Sequence, residues 1–229
     1  MGEIARELKM SRATVTRLVA SLKKSGWVNA EGSRCYPSLR VAVMGADALR
    51  HNPLRQRLRP WLIELAERTG CPCALCFYDA GRLTVTDLTD SIAGRVIAKF
   101  DAYVVPAACT AGGKIMLAFQ PDEEVRRLIS EPLERFTEFT KTDPEEVIDD
   151  IRMARERGYS IDDRELTVET SGLAVPVIDA NEMVVAALGV NTRGGITDEF
   201  VQKASPIALT VALRASQALG HPSSGGVLD

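Results

Sequence analysis

The run Leu173-Ala174-Val175-Pro176-Val177-Ile178, the turn Asp179-Ala180-Asn181-Glu182 and the run Val184-Val185-Ala186-Ala187-Leu188-Gly189-Val190 decide the fold class. Both runs are short and apolar, as buried strands are. The four residues between them favour a turn, because Asp and Asn side chains bond back to nearby backbone. An antiparallel hairpin is expected. Upstream, strands are expected at Cys73–Tyr78, Leu83–Leu88 and near Val96–Phe100, the first two joined by Asp79-Ala80-Gly81. Helices are expected at about 112–119, 122–129 and 144–157, and a last one over Asp198–Leu219. Strands interspersed with packed helices fit an α+β domain with an antiparallel sheet.

Further upstream the pattern turns helical. Leu58, Trp61, Leu62, Leu65 and Ala66 mark one side of a helix over about Leu54–Arg68, ended by Gly70. A linker helix, Leu39–Arg50, carries Val43, Ala46 and Leu49 and is broken by Asn52-Pro53. Nearest the N-terminus, a short helix over 3–9 stops at Met10-Ser11, and Ser11 is a good N-cap for the next. That helix, Arg12 to Ser25, buries the stripe Val15, Leu18, Val19 and Leu22 and ends at Gly26. Trp27-Val28 and Arg34-Cys35-Tyr36 form strands about a Glu31-Gly32-Ser33 turn. Two helices followed by a hairpin read as a winged helix-turn-helix, with Arg34 on the wing. Such a domain normally has one more helix in front, so its first helix is read as missing. The domains expected are 1–38 for this reader, 39–52 for the linker, 53–220 for a larger domain and 221–229 for a loose tail.

Charge supports a nucleic-acid-facing end. The chain has 229 residues and a formal net charge of −3, yet residues 1–60 hold 12 basic and 4 acidic side chains, leaving 16 and 27 for the rest. On the face of the second helix opposite its apolar stripe lie Arg12, Thr14, Thr16, Arg17 and Ser21. These short polar and basic groups, with Ser11 at the cap, can reach base edges and phosphates of double-stranded DNA. No apolar run approaches the roughly 18 residues of a membrane span, and no signal peptide opens the chain. A cytoplasmic protein with no membrane partner is expected. Its five cysteines read as reduced thiols.

Three segments resemble the IclR family of transcription regulators. Gly112-Gly113-Lys114-Ile115-Met116-Leu117-Ala118-Phe119 is similar to that family's LGKALLAF segment. Ala154 to Leu166, through Gly158-Tyr159-Ser160-Ile161-Asp162-Asp163, resembles RARGYAVDDEEL. The hairpin at 173–188 resembles IAAPVFDADGRVVAAL. The resemblance implies a winged helix joined to a GAF-like effector domain, a DNA operator as partner, and a homodimer or homotetramer. It also implies control by a small organic acid effector.

Candidate effector-binding residues follow. The Ala111-Gly112 turn, with Gly113 and Thr110 beside it, can offer backbone N–H groups to a carboxylate; its spacing to Lys114 is wrong for a P-loop. The resemblance makes Asp162 an effector contact. It places Gly172, Gly189 and Asn191 where relatives carry a cysteine and two small hydroxyl residues. Two glycines there imply a larger pocket, suited to a bulkier acid, aromatic acids included.

Catalysis and metal binding are disfavoured. The two histidines, His51 and His221, lie in the linker and the tail, away from any core triad. Cys109 near a helix start is a candidate for a lowered pKa, but no base accompanies it. Cys71, Cys73 and Cys76 lack a fourth ligand, and Cys73 and Cys76 point to opposite faces of a strand. No cofactor is expected. The alternative to a regulator is an effector-sensing or interaction module with a vestigial DNA-binding region.

Overall fold

The computed structural model describes residues 1–222 apart from Ser33, Ala80, Gly81, Ala93, Gly94, Ser130, Glu131 and Pro132. The expected turns at Glu31-Gly32-Ser33 and Asp79-Ala80-Gly81, and the tail from 223 onward, therefore fall partly or wholly outside the described residues. The chain divides into two compact units, Met1–Gln56 and Arg57–Asp229.

The first unit contains α1 (Gly2–Glu7), α2 (Arg12–Lys24), the antiparallel pair β1 (Val28–Glu31) and β2 (Arg34–Pro37), and α3 (Leu39–Arg50). The Ser11 side chain accepts from the Thr14 backbone N–H at 3.1 Å and so starts α2. Gly26, at φ +78°, ends it. Its N–H donates to Lys23 and the Trp27 N–H to Leu22, which satisfies carbonyls that the helix end would otherwise leave unpaired. Ala5, Val15 and Val19 form a small core, with Met1, Ile4, Val28 and Cys35 packed around it. The apolar stripe of α2 is thus covered only in part, because Leu18 and Leu22 are 47% and 43% exposed. Helix α3 forms over the expected residues and buries none of them.

The second unit is built on a six-stranded antiparallel sheet of order β5-β4-β3-β8-β7-β6. Its strands are β3 (Cys73–Asp79), β4 (Arg82–Ile92), β5 (Arg95–Pro106), β6 (Ser160–Asp162), β7 (Thr170–Ile178) and β8 (Val184–Arg193). Helices α4 (Pro53–Thr69, of which Arg57 onward belongs to this unit), α5 (Ala111–Leu117), α6 (Asp122–Ile129), α7 (Pro144–Arg157) and α8 (Asp198–Ala218) complete the fold. The late hairpin pairs as expected, Ala174 opposite Gly189 and Gly172 opposite Asn191. Asp179 closes its turn by accepting from the Asn181 and Met183 backbone N–H groups.

Alternation along the strands sorts large from small residues. Leu173, Val175, Leu188 and Val190 point to one face and are fully buried; α8 packs on these two strands. Ser160, Ala174, Gly189 and Ala74, paired in one row across four strands, point to the other face, where α5 lies. Small residues let this helix approach closely. A Cβ on Gly113 would stand 2.1 Å from the Ala107 carbonyl oxygen, and one on Gly112 would stand 2.8 Å from a Leu83 methyl. A Cβ on Gly189 would meet nothing nearer than Ala74 Cβ at 3.7 Å. Gly113→Ala is therefore expected to lower the melting temperature by roughly 4–10 °C. Gly189→Ala should leave it within about 2 °C. Thermal unfolding followed by circular dichroism distinguishes the two.

Candidate functional site

In the first unit, Val15 and Val19 face the small core, while Ser11, Arg12, Thr16, Arg17 and Ser21 are exposed and Thr14 is half-buried. The hydroxyls are engaged locally. Ser11 and Thr14 bond to each other at 2.8 Å, and Thr16 donates to the Arg12 carbonyl at 2.8 Å. The guanidiniums of Arg12 and Arg17 are the long, exposed groups of this set on α2. Arg34 is exposed too, at the start of β2 and opposite Glu31 in register. Arg40, absent from the expected set, ties the end of α2 by donating to the Ser25 carbonyl at 2.8 Å.

In the second unit, Asp162, Gly172 and Asn191 form one row across β6, β7 and β8. They share a sheet face with Gly189, two residues from Asn191. Strand β6 has only three residues and lies at the sheet edge, so Asp162 at its end is half-buried. One of its oxygens accepts from the Glu165 N–H at 2.8 Å. The two glycines are not equivalent, which corrects the expectation that both leave empty volume. A Cβ at 172 would stand 2.8 Å from the Asn191 side-chain oxygen, so Asn191 already covers that position. Only Gly189 leaves ordinary van der Waals room.

The turn before α5 is tightly packed. Thr110, Ala111 and Gly112 are buried. The Thr110 hydroxyl donates to the Pro106 carbonyl at 3.1 Å and accepts from the Gly113 N–H at 3.2 Å, capping α5. Both glycines of this turn thus have a packing reason. Burial, reinforced by the Asp162 and Glu165 carboxylates, pushes the Cys109 thiol up to about 12. That reverses the lowering expected from its place before a helix.

One cluster was not anticipated. The Lys114 ammonium, fully buried, donates to Asp150 at 2.7 Å, to Glu165 at 2.5 Å and to the Ile161 carbonyl at 3.3 Å. Lys141 holds both oxygens of Asp150 at 2.6 Å. The outer end of this cluster opens on a cleft of about 370 Å³ lined by Phe139, Lys141, Asp150, Arg157, Ile161, Asp163 and Glu165. Burial pulls the Lys114 ammonium down, but Glu165 and Asp150 more than offset this and leave its pKa above the ordinary value. Burial pushes Asp150 up, and the two lysines reverse the direction, holding it below the carboxylate range. For Glu165, burial prevails over Lys114 and its pKa is raised. Burial is also the chief cause for Asp162, which is raised to about 7. The sequence carried one signal of the cluster: a lone cation in the otherwise small and apolar run Ala111–Phe119. A buried charge needs partners.

Residues 46–216 match the family model described as Bacterial transcriptional regulator IclR C-terminal. The Pca regulon regulatory protein of Pseudomonas putida is 30% identical, over 98% of this chain and 77% of that protein. The crystal structure of an IclR transcriptional regulator from Alicyclobacillus acidocaldarius superposes with a TM-score of 0.71 at 25% identity, over 96% of this chain and 90% of that one. The inducer binding domain of PobR from Acinetobacter, a double mutant in complex with 3-hydroxybenzoic acid, shares the fold. Its TM-score is 0.61 at 19% identity, over 69% of this chain and 95% of that one.

Two stability measurements check the electrostatics. Lys114→Met would strand Glu165 without its cation and leave Asp150 to Lys141 alone, at a cost of about 3–5 kcal/mol near neutral pH. The stranded Glu165 carboxylate would take up a proton more readily folded than unfolded. The deficit against wild type should therefore shrink from pH 8 to pH 5. Asp162 already has a raised folded pKa, so it favours the folded state less and less as pH rises from its unfolded value, about 3.9, through 7. Asp162→Asn removes that penalty. It should raise the melting temperature at pH 8, gain progressively less as pH falls from about 7, and gain nothing below about 4.

Proposed function

The chain belongs to the IclR family of bacterial transcriptional regulators, and from that premise we propose that it is a DNA-binding regulator controlled by a small organic acid. In this reading the first unit is a winged helix-turn-helix. Helix α2 enters the major groove of an operator, Arg12 and Arg17 reach phosphates or base edges, and the β1–β2 hairpin is the wing, with Arg34 on phosphate. The hydroxyls of Ser11, Thr14, Thr16 and Ser21 contribute where their local bonds allow.

The second unit is then a GAF-like effector domain. The acid sits on the sheet face beside Asp162, Gly172, Gly189 and Asn191, near the Thr110-Ala111-Gly112 turn. The observation that carries this placement is the row Asp162, Gly172 and Asn191, two polar side chains in register next to a glycine at 189 that leaves room. Asp162 and Asn191 supply directional hydrogen bonds, and the absent side chain at Gly189 keeps the neighbouring sheet face low. The relative solved with 3-hydroxybenzoic acid makes aromatic acids the first probes to try. The protein works as a homodimer or homotetramer. The ligand acts by favouring one arrangement of paired DNA readers, with the 39–50 helix as linker.

Two experiments test the reading. Isothermal titration with 3-hydroxybenzoate, benzoate, pyruvate and adipate should find an acid that binds. Gly189→Val should weaken the best one at least tenfold, about 1.4 kcal/mol, while thermal unfolding remains cooperative. Unchanged affinity would place the pocket elsewhere. On a DNA site selected in vitro by the protein, Arg17→Ala should weaken binding and lower the salt slope by about one if Arg17 meets phosphate. Affinity equal to wild type at every salt concentration would remove Arg17 from the interface.

A further inference from the structure

Resting on the acid-effector reading above, we propose that Asp162 meets its ligand as a neutral carboxylic acid, donating a hydrogen bond to an oxygen of the bound organic anion, so that binding takes up one proton from solvent. The argument begins with charge. Asp150, Asp162 and Glu165 bring three carboxyl groups to one partly buried region, and Lys114 and Lys141 bring two ammoniums. Fully ionised, these five groups carry one excess negative charge; Arg157, which lines the same cleft, is turned to the Tyr159 carbonyl and ring.

Neither lysine is hydrogen-bonded to Asp162, although Lys114 attracts its charge through space without overcoming burial and the neighbouring carboxylates. An ammonium has three protons, and the three acceptors of Lys114 are Asp150, Glu165 and the Ile161 carbonyl. Lys141 is spent on both oxygens of Asp150. The other charged neighbour, Asp163, is paired with Arg164 and also accepts from Ser171 and the Ile196 N–H. The thiol of Cys109, before α5, stays neutral. From β7 and β8 the facing residues are Gly172 and Asn191, which carry no charge. The buried second oxygen of Glu165 has no hydrogen-bond partner, a further sign that this region is short of protons.

The geometry of Asp162 suits a carboxylic acid. One oxygen accepts the Glu165 N–H, as a carbonyl oxygen does, so a proton on this group would sit on the other. An ionised Asp162 would repel an incoming carboxylate; a neutral one donates to it. Placing a second anion beside the excess charge raises the affinity of Asp162 for that proton further. No covalent bond changes: the ligand anion and one solvent proton enter, and the complex gains no net charge.

Proton-linked calorimetry on the full chain tests this. At pH 8, 3-hydroxybenzoate is titrated in phosphate, HEPES and Tris, whose ionisation enthalpies differ, with adipate as second probe. Wild type is expected to take up about one proton per site at pH 8 and close to none at about pH 5.5. Its affinity should fall up to about tenfold per pH unit above neutrality. Asp162→Asn keeps a neutral donor at that position, so it should show no proton uptake and bind several-fold more tightly than wild type at pH 8. Binding without proton uptake in wild type overturns the inference and leaves the acid site standing. Uptake that persists in Asp162→Asn also overturns it, by assigning the proton to another group. If neither acid binds either protein, the acid-effector reading falls and this inference falls with it.

Discussion

An ammonium removed from water needs three acceptors, and Lys114 finds them on three separated stretches of chain. Asp150 comes from α7, Ile161 from the edge strand β6, and Glu165 from the segment that follows it. The net stability of such a cluster is small, because desolvation of the ions offsets much of their attraction. Its structural consequence is larger. A shift of α7 or of the 160–165 segment relative to α5 would leave a buried charge without a partner. The edge strand, only three residues long, is held in register by this requirement and by the Ser160 hydroxyl bonding to the Ala111 carbonyl. Asp162 takes its position from that strand.

The sheet distributes size between its faces to serve the same end. Leu173, Val175, Leu188 and Val190 fill the α8 side. Alanines, glycines and a serine line the α5 side, so that helix sits low enough for Lys114 to reach across. The glycine pair 112–113 belongs to this approach. The proposed ligand site occupies the rim of the same face, beyond the packed turn of α5, where Asn191 covers Gly172 and a Cβ at Gly189 would meet only ordinary contacts. Packing and recognition divide one surface between them.

The first unit follows a different logic. Among the described residues its buried apolar side chains, Ala5, Val15 and Val19, make a small core, and α3 adds no buried side chain to it. Local devices define it instead: the Ser11 cap, the left-handed Gly26 and the Arg40 bond to the end of α2. These hold the helix–hairpin angle and leave the cationic face of α2 exposed. A reader of a polyanion needs long cations outside and only enough apolar packing inside to orient them.

Much of this was legible in residue order. The stripe Val15-Leu18-Val19-Leu22 with Ser11 and Gly26 defined α2, and turn chemistry at Asp179–Glu182 defined the hairpin, because caps, turns and alternation are encoded by neighbours in the chain. Residues 39–50 and 144–157 form helices over the expected spans for the same reason. The three-residue β6 could not be drawn from periodicity, since three residues show no period. Its pairing with β7 is a tertiary event. Nor could the stripe on α2 say how much of itself is covered, or two glycines say which of them Asn191 overlies. Lys114 announced itself as a charge in an apolar run, yet its carboxylate partners lie 36 and 51 residues away. Sequence determined which local shapes form and which residues must not be left alone. Only tertiary structure decided who accompanies them, because burial and electrostatics act through space.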